Sequence, residues 1–212
     1  MESSISLQHL PQKILLFCGI IAPLLYLGAD LLPGKLLKGY SFSVQSMSDL
    51  GAAGSPVRQL AVTLTLVACV FMVAFGIGVW QVAGPSILQR IVAGLIIGNA
   101  VTGLIAILFF PNRFGVRPEF GTPGVLLMFL SVLCFVLAFI FGAVAFHGWM
   151  RILSIAIPAV YILLAIFRLA TASSSAAGTT VLIGVQERTM AYSFLVWVTT
   201  LAIYLLRLNG SV

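Results

Sequence analysis

The residues of this chain that could do chemistry are few, and most fall in or beside three connecting segments. Asp30, Asp49 and Glu187 are the carboxylates of interest. Lys35, Lys38, Arg58, Arg113, Arg168 and Arg188 are the cations, and the segment YSFSVQSMSDLG adds Tyr40, Ser41, Ser46 and Ser48. An arginine fork grips phosphate or carboxylate with two parallel bonds, and serine hydroxyls supply neutral donors beside it. Together these are groups for recognising an anion. Asp49 and Glu187 would also permit acid–base work, although nothing in their spacing asks for it. Zinc needs three or four His, Cys or carboxylate ligands within reach of one another. His9 and His147 stand apart from this group, and Cys18, Cys69 and Cys134 are scattered through apolar runs as small hydrophobes. There is no Gly-x-Ser-x-Gly elbow and no phosphate-cradling glycine loop. No lysine lies inside an apolar run, so a retinal Schiff base is excluded. Neither a metal nor a cofactor is expected.

The segments that must position these groups are apolar. Of 212 residues, 61% are hydrophobic and 8% are charged: eleven Lys or Arg against five Asp or Glu. Soluble domains carry about a quarter charged residues, so a soluble enzyme, a disordered chain and a disulfide scaffold are all excluded. The net charge of +6 does not indicate nucleic acid, because the bases form no cluster of about four or more. A bilayer span needs roughly 20 apolar residues. Six segments qualify: Ile14–Leu32, Gln59–Val82, Ile91–Phe110, Gly124–Phe146, Ile152–Ala170 and Thr189–Leu206. The expected fold is therefore all-α, a polytopic membrane protein folded as a six-helix transmembrane bundle, with residues 1–212 as one domain. The first span has no clean cleavage site after it and reads as an uncleaved helix.

Six crossings place both termini on one face. The connections on that even face, about GPSILQR and HGWMR, are tight, and Trp80, Trp149 and Tyr204 mark its boundary as an aromatic belt. The loops after spans one, three and five share the other, odd face. They hold Asp30, Asp49, Glu119 and Glu187, and also Lys35, Lys38, Arg58, Arg113, Arg117, Arg168 and Arg188. In the first loop Val44, Met47 and Leu50 recur at helical spacing behind Ser43, which predicts a short interfacial helix. PNRFGVRPEFGTP predicts a fixed irregular turn. A carboxylate at the bilayer boundary needs compensation, so Asp30 or Asp49 is expected within salt-bridge reach of Arg113, Arg168 or Arg188. Small residues at Gly94, Gly98, Thr102 and Ala106, and at Ser131, Cys134, Ala138, Gly142 and Ala145, form two smooth ridges for close helix packing. A homo-oligomer through Gly94 and Gly98 is the alternative to packing within the bundle. Asn99, in mid-span, is expected to bond across helices.

The stretches GIIAP, KGYSFSVQSMSDLG, LFFPN and GVQERTMAYSFLVW resemble the membrane family called domain of unknown function 998, over nearly the whole chain. Tyr40, Ser41, Ser48, Asp49, Leu50, Gly51, Pro111, Arg188 and Trp197 match its pattern. The chain departs from it in two places: Arg113 stands where an acid is expected after Pro111, and EFGTPGVLLM opens span four without a histidine. The resemblance implies six spans and an odd-face site; it implies no established activity.

The functional expectation is binding or transport of a lipid, or of another amphipathic ligand, in a polar pocket made by the odd loops. Asp30, Tyr40, Ser41, Ser48, Asp49, Arg113, Arg168, Glu187 and Arg188 are the candidate ligand-binding residues, and membrane lipid is the expected partner. The alternatives are a membrane-embedded enzyme acting on a lipid headgroup, against which the missing ligand sets argue, and a structural subunit. For orientation in a cytoplasmic membrane two arguments disagree. The larger number of odd-face bases places the odd loops inside by the positive-inside rule. Pairing of those bases with acids, and the basic even loops of the resembling family, place the termini in the cytoplasm, which is the expectation adopted.

Overall fold

The computed structural model describes residues 2–116, 121–172 and 183–209, with the side chains of residues 2–9 and 164–172 outside the description. Long apolar sequences fold here as helices because a bilayer offers backbone N–H and C=O groups no other partner. In chain order these are α1 (Glu2–Leu36), α2 (Arg58–Val82), α3 (Ile87–Phe109), α4 (Pro123–Ala145), α5 (Trp149–Ala172) and α6 (Ile183–Leu208). Within them, Leu10–Leu36 of α1 and the whole of α2, α3, α4 and α6 are long and apolar enough to cross a membrane. The described apolar part of α5, Trp149–Leu163, is shorter than a span.

Consecutive helices pack side by side, and α6 returns against α1, so the six form a closed ring. The core is aromatic. Trp197 of α6 is fully buried and meets Phe139 of α4 edge to face at 5.3 Å, while Phe135 and Phe194 complete the cluster. The helices approach one another where side chains are small. A Cβ at Gly78 on α2 would lie 3.1 Å from the Leu15 carbonyl carbon of α1, and one at Gly142 on α4 would lie 2.8 Å from the Trp197 ring. The small-residue ridges serve the bundle in part. Gly98 faces the Cys134 sulfur, and the Asn99 amide donates to the Ser131 carbonyl at 3.0 Å, both from α3 to α4, whereas nothing lies within 4 Å of a Cβ built at Gly94.

The first loop (residues 37–57) differs from its expected form. In place of a short helix over Val44–Leu50 there is one 3-10 turn, Met47–Asp49. Ser46 and Asp49 close it reciprocally: the Ser46 hydroxyl accepts from the Ser48 amide, and the Asp49 carboxylate accepts from the Ser46 amide at 3.1 Å. Ser46 caps the start of the turn and Leu50 its end, the Leu50 amide donating to the Met47 carbonyl at 3.2 Å, so the tighter i to i+3 bonding stops after one turn. Leu50 and Ala52, each 1% exposed, are buried, and a Cβ on the intervening Gly51 would touch Ile107 near the end of α3. The third loop is tied to the first. The Ala53 amide donates to the Asn112 carbonyl at 2.7 Å, and the Phe114 amide donates to the Ala53 carbonyl at 3.0 Å.

Candidate functional site

Asp30 lies near the end of α1 and Arg188 near the start of α6, and the packing of these two helices brings them together. Both are buried, at 2% and 7% exposure. Arg188 Nε donates to Asp30 Oδ2 at 2.8 Å and Nη2 donates to Asp30 Oδ1 at 2.8 Å, a bidentate pair. The sequence expectation of a compensated boundary carboxylate is met here. The second hydrogen of Nη2 reaches the Tyr40 hydroxyl at 2.6 Å. Nη1 donates to the carbonyls of Phe42 (2.5 Å), Gln45 (3.1 Å) and Gly184 (3.2 Å). A guanidinium has five N–H donors, and every one has a protein acceptor. Its carbon stands 4.9 Å from the Phe42 ring centroid and 5.6 Å from that of Tyr40, so the loop's aromatic rings shield the ion pair while its carbonyls bond it.

Tyr192, one helical turn after Arg188, also donates its hydroxyl to Asp30. Tyr40 both accepts from Arg188 and donates to the Ser46 carbonyl at 2.8 Å. Only a neutral phenol can do both. Burial pushes its pKa up to about 12, against the opposing pull of Arg188.

The adjacent Glu187 forms a second attachment. Its two carboxylate oxygens receive the Ser46 hydroxyl at 2.8 and 2.6 Å, and one of them receives the Met47 amide at 2.7 Å. Thus two consecutive residues of α6 hold opposite ends of one loop segment, Arg188 through carbonyls and Glu187 through donors. Glycine at position 184 lets that segment lie close: a Cβ there would sit 2.4 Å from both the Gln45 and Phe42 carbonyl oxygens.

The candidate residues therefore separate into groups. Asp30, Tyr40 and Arg188 form the buried cluster. Glu187 and Asp49 meet through Ser46, and Ser48 joins them to the third loop by accepting from the Asn112 amide at 3.2 Å. Ser41 is bonded within the loop, its amide to the Gln45 side chain at 2.7 Å and its hydroxyl to that of Ser43. Arg113 is exposed and has no salt bridge among the described residues. Arg168 falls on α5, and its side chain lies outside the described residues, as do Arg117 and Glu119 altogether. Tyr192, Gly184 and the carbonyls of Phe42 and Gln45 were not singled out from sequence. The spacing of Tyr192 four residues beyond Arg188 was the available signal for one of them. No three His, Cys, Asp or Glu side chains converge among the described residues.

A cavity of about 200 Å³ opens elsewhere, between α5 and α6, lined by Ala156, Ile157, Val160, Tyr161, Thr189 and Ser193. Its walls are mostly apolar, unlike the charged cluster on the neighbouring face of α6.

Neither a curated protein nor a solved structure matches the chain. Residues 20–204 match the family described as protein of unknown function DUF998, and that span contains both attachments of the first loop and all six helices in whole or in part. The chain belongs to this family, as an integral membrane protein.

Proposed function

We propose that the protein binds an anionic membrane lipid at its odd face, through exposed cations outside the buried cluster. The observation that carries this is the unequal use of charge on that face. Asp30, Asp49 and Glu187 all accept hydrogen bonds from the protein's own donors. Lys35, Lys38 and Arg113 are exposed and have no ion pair among the described residues. The face thus presents positive charge with its described carboxylates already engaged. In this reading Arg188 is a positioning residue that fixes the first loop, and ligand contact falls to the lysines and Arg113.

Each such cation near an anionic surface contributes about 1 kcal/mol. The triple variant Lys35→Ala, Lys38→Ala, Arg113→Ala should therefore lose up to about a hundredfold in preference for phosphatidylglycerol over phosphatidylcholine of the same chains. The protein would be reconstituted with both lipids and the retained lipid weighed by native mass spectrometry. High salt should reproduce the loss in the wild type. Unchanged preference in the triple variant would refute the proposal. In the same reading the membrane is the cytoplasmic membrane of a bacterium or archaeon, with the termini on its cytoplasmic side. With Lys35, Lys38 and Arg113 unpaired among the described residues, that orientation rests on the basic even loops of the resembling family and no longer on pairing of the odd-face bases.

A further inference from the structure

The cavity between α5 and α6 is a window with a tie at each end. At one end Trp197 Nε1 donates to the Ser154 hydroxyl at 2.9 Å, and that hydroxyl in turn donates to the Met150 carbonyl at 2.8 Å. At the other end the Tyr161 hydroxyl donates to the Thr189 carbonyl. Between the ties α5 carries Pro158, which has no N–H for the Ser154 carbonyl and so weakens the helix where the window opens. Ala156 and Val160 on this stretch are exposed.

Two features define what fits. The hydroxyls at the window already have acceptors: Tyr161 and Ser193 both donate to the Thr189 carbonyl, and Thr189 donates to the Val185 carbonyl at 2.7 Å. These three hydroxyls have no hydrogen left to give and can only accept, the rest of the lining is apolar, and no charged side chain is part of it, so the window holds nothing for a headgroup. The second feature is depth. The lining starts at Thr189, one residue past the loop-holding Arg188, and runs along α6 to Ser193, about 6 Å further down the axis, and on α5 to Ala156, about 10 Å from that helix's even-face start, so all but its upper edge lies well inside the helix pair.

The geometry points to a seat for one acyl chain of a bound lipid, entering laterally between α5 and α6. An empty apolar gap would forfeit the dispersion contacts of its lining, and the molecules bordering a transmembrane helix pair at this depth are acyl chains. The inference rests on the reading that the protein retains a lipid, and it places the chain where that reading placed only the headgroup.

Filling the window tests it. The full chain would be reconstituted with phosphatidylglycerol and phosphatidylcholine of identical chains and examined by native mass spectrometry. Ala156→Phe and Val160→Phe should each lower the ratio of lipid-bound to lipid-free protein by on the order of tenfold for both lipids. Ile162→Phe, at an exposed position of the same helix outside the window lining, should leave the ratio unchanged. Thermal unfolding in detergent checks that each variant is folded; if one is not, the other carries the test. Wild-type lipid retention in a folded window variant overturns the seat. So does an equal loss in Ile162→Phe, or a change from dimer to monomer in place of lipid loss, which would make the occupant a second copy. If the window variants release lipid while the wild type shows no headgroup preference, the chain seat stands and the proposed headgroup recognition fails.

Discussion

Asp30 is held by three donors from two residues of α6, and its environment is almost dry. Removing the cation leaves a buried carboxylate without compensation, which costs about 3–5 kcal/mol, whereas replacing a buried pair with apolar groups of similar volume is often neutral or better. Arg188 also does something no apolar residue can: it bonds the carbonyls of Phe42 and Gln45 and the Tyr40 hydroxyl. The two roles separate experimentally. Arg188→Ala should lower thermal stability in detergent strongly. Asp30→Leu with Arg188→Met should recover most of that stability and still leave the first loop undocked. The readout for docking is a cysteine at Ala52, 1% exposed, in a chain whose three native cysteines are replaced by serine. It should resist maleimide in the parent and react in both variants. A protected Ala52→Cys in the double variant would show that Arg188 does not hold the loop.

At the scale of elements, the first loop is docked mainly by backbone groups, and Gly184 is what admits them. Gly184→Ala improves the intrinsic helix propensity of α6 by about 1 kcal/mol. Its Cβ nevertheless collides with two backbone oxygens that cannot rotate away. We expect the collision to win by roughly 1–3 kcal/mol, giving a protein of unchanged helicity in which the Ala52→Cys probe becomes reactive. If helicity and protection both stay at the parent level, the close approach is not what positions the loop. The same element shows which features were legible in the sequence. The six helices follow from runs of apolar residues, because hydropathy alone decides what a bilayer accepts. The Asp30–Arg188 pair follows from the cost of a lone boundary charge. The docking does not follow, since a carbonyl carries no residue code and nothing in the stretch IGVQER says that Phe42 and Gln45 lie on it. The spacing of Val44, Met47 and Leu50 misled because only Leu50 of the three is buried, Val44 being 41% exposed, so the period did not mark the buried face of a helix. Asp30, Asp49, Glu187 and Arg188 do meet at one end of the bundle, but which charges are engaged depends on contacts between residues over 140 positions apart, as from Ser46 to Glu187.

For the whole molecule the decisive element is α5, whose described apolar stretch is too short to identify it as a span by composition. Connectivity supplies the argument instead. α4 ends at Ala145 and α5 begins at Trp149, so a turn of only a few residues starts α5 beside the even end of α4. α6 begins at the opposite face, where Glu187 and Arg188 hold the first loop. The chain must therefore travel from the even face to the odd face between Trp149 and Ile183. α5 has 24 residues, about 36 Å of helix, which exceeds the roughly 30 Å hydrocarbon core. Its tie to Trp197 through Ser154, in its second turn, and the Tyr161 tie to Thr189 further along keep it beside α6 on the way. With α5 crossing as well as the five helices of span length, the two termini would lie on one side and the first and fifth loops on the other. In a cysteine-free background, single cysteines at Val44 and Ser174 should react with a membrane-impermeant maleimide from the same side. A cysteine at Ser86, in the turn before α3, should react only from the opposite side. Reporters fused ahead of Met1 and after Val212 should both read as cytoplasmic. Termini on opposite sides would mean that α5 does not cross, and the closed ring of helices could not then sit in a bilayer as described. Both termini outside would keep the ring and reverse its orientation, leaving the positive-inside count of the odd loops as the stronger of the two topological signals.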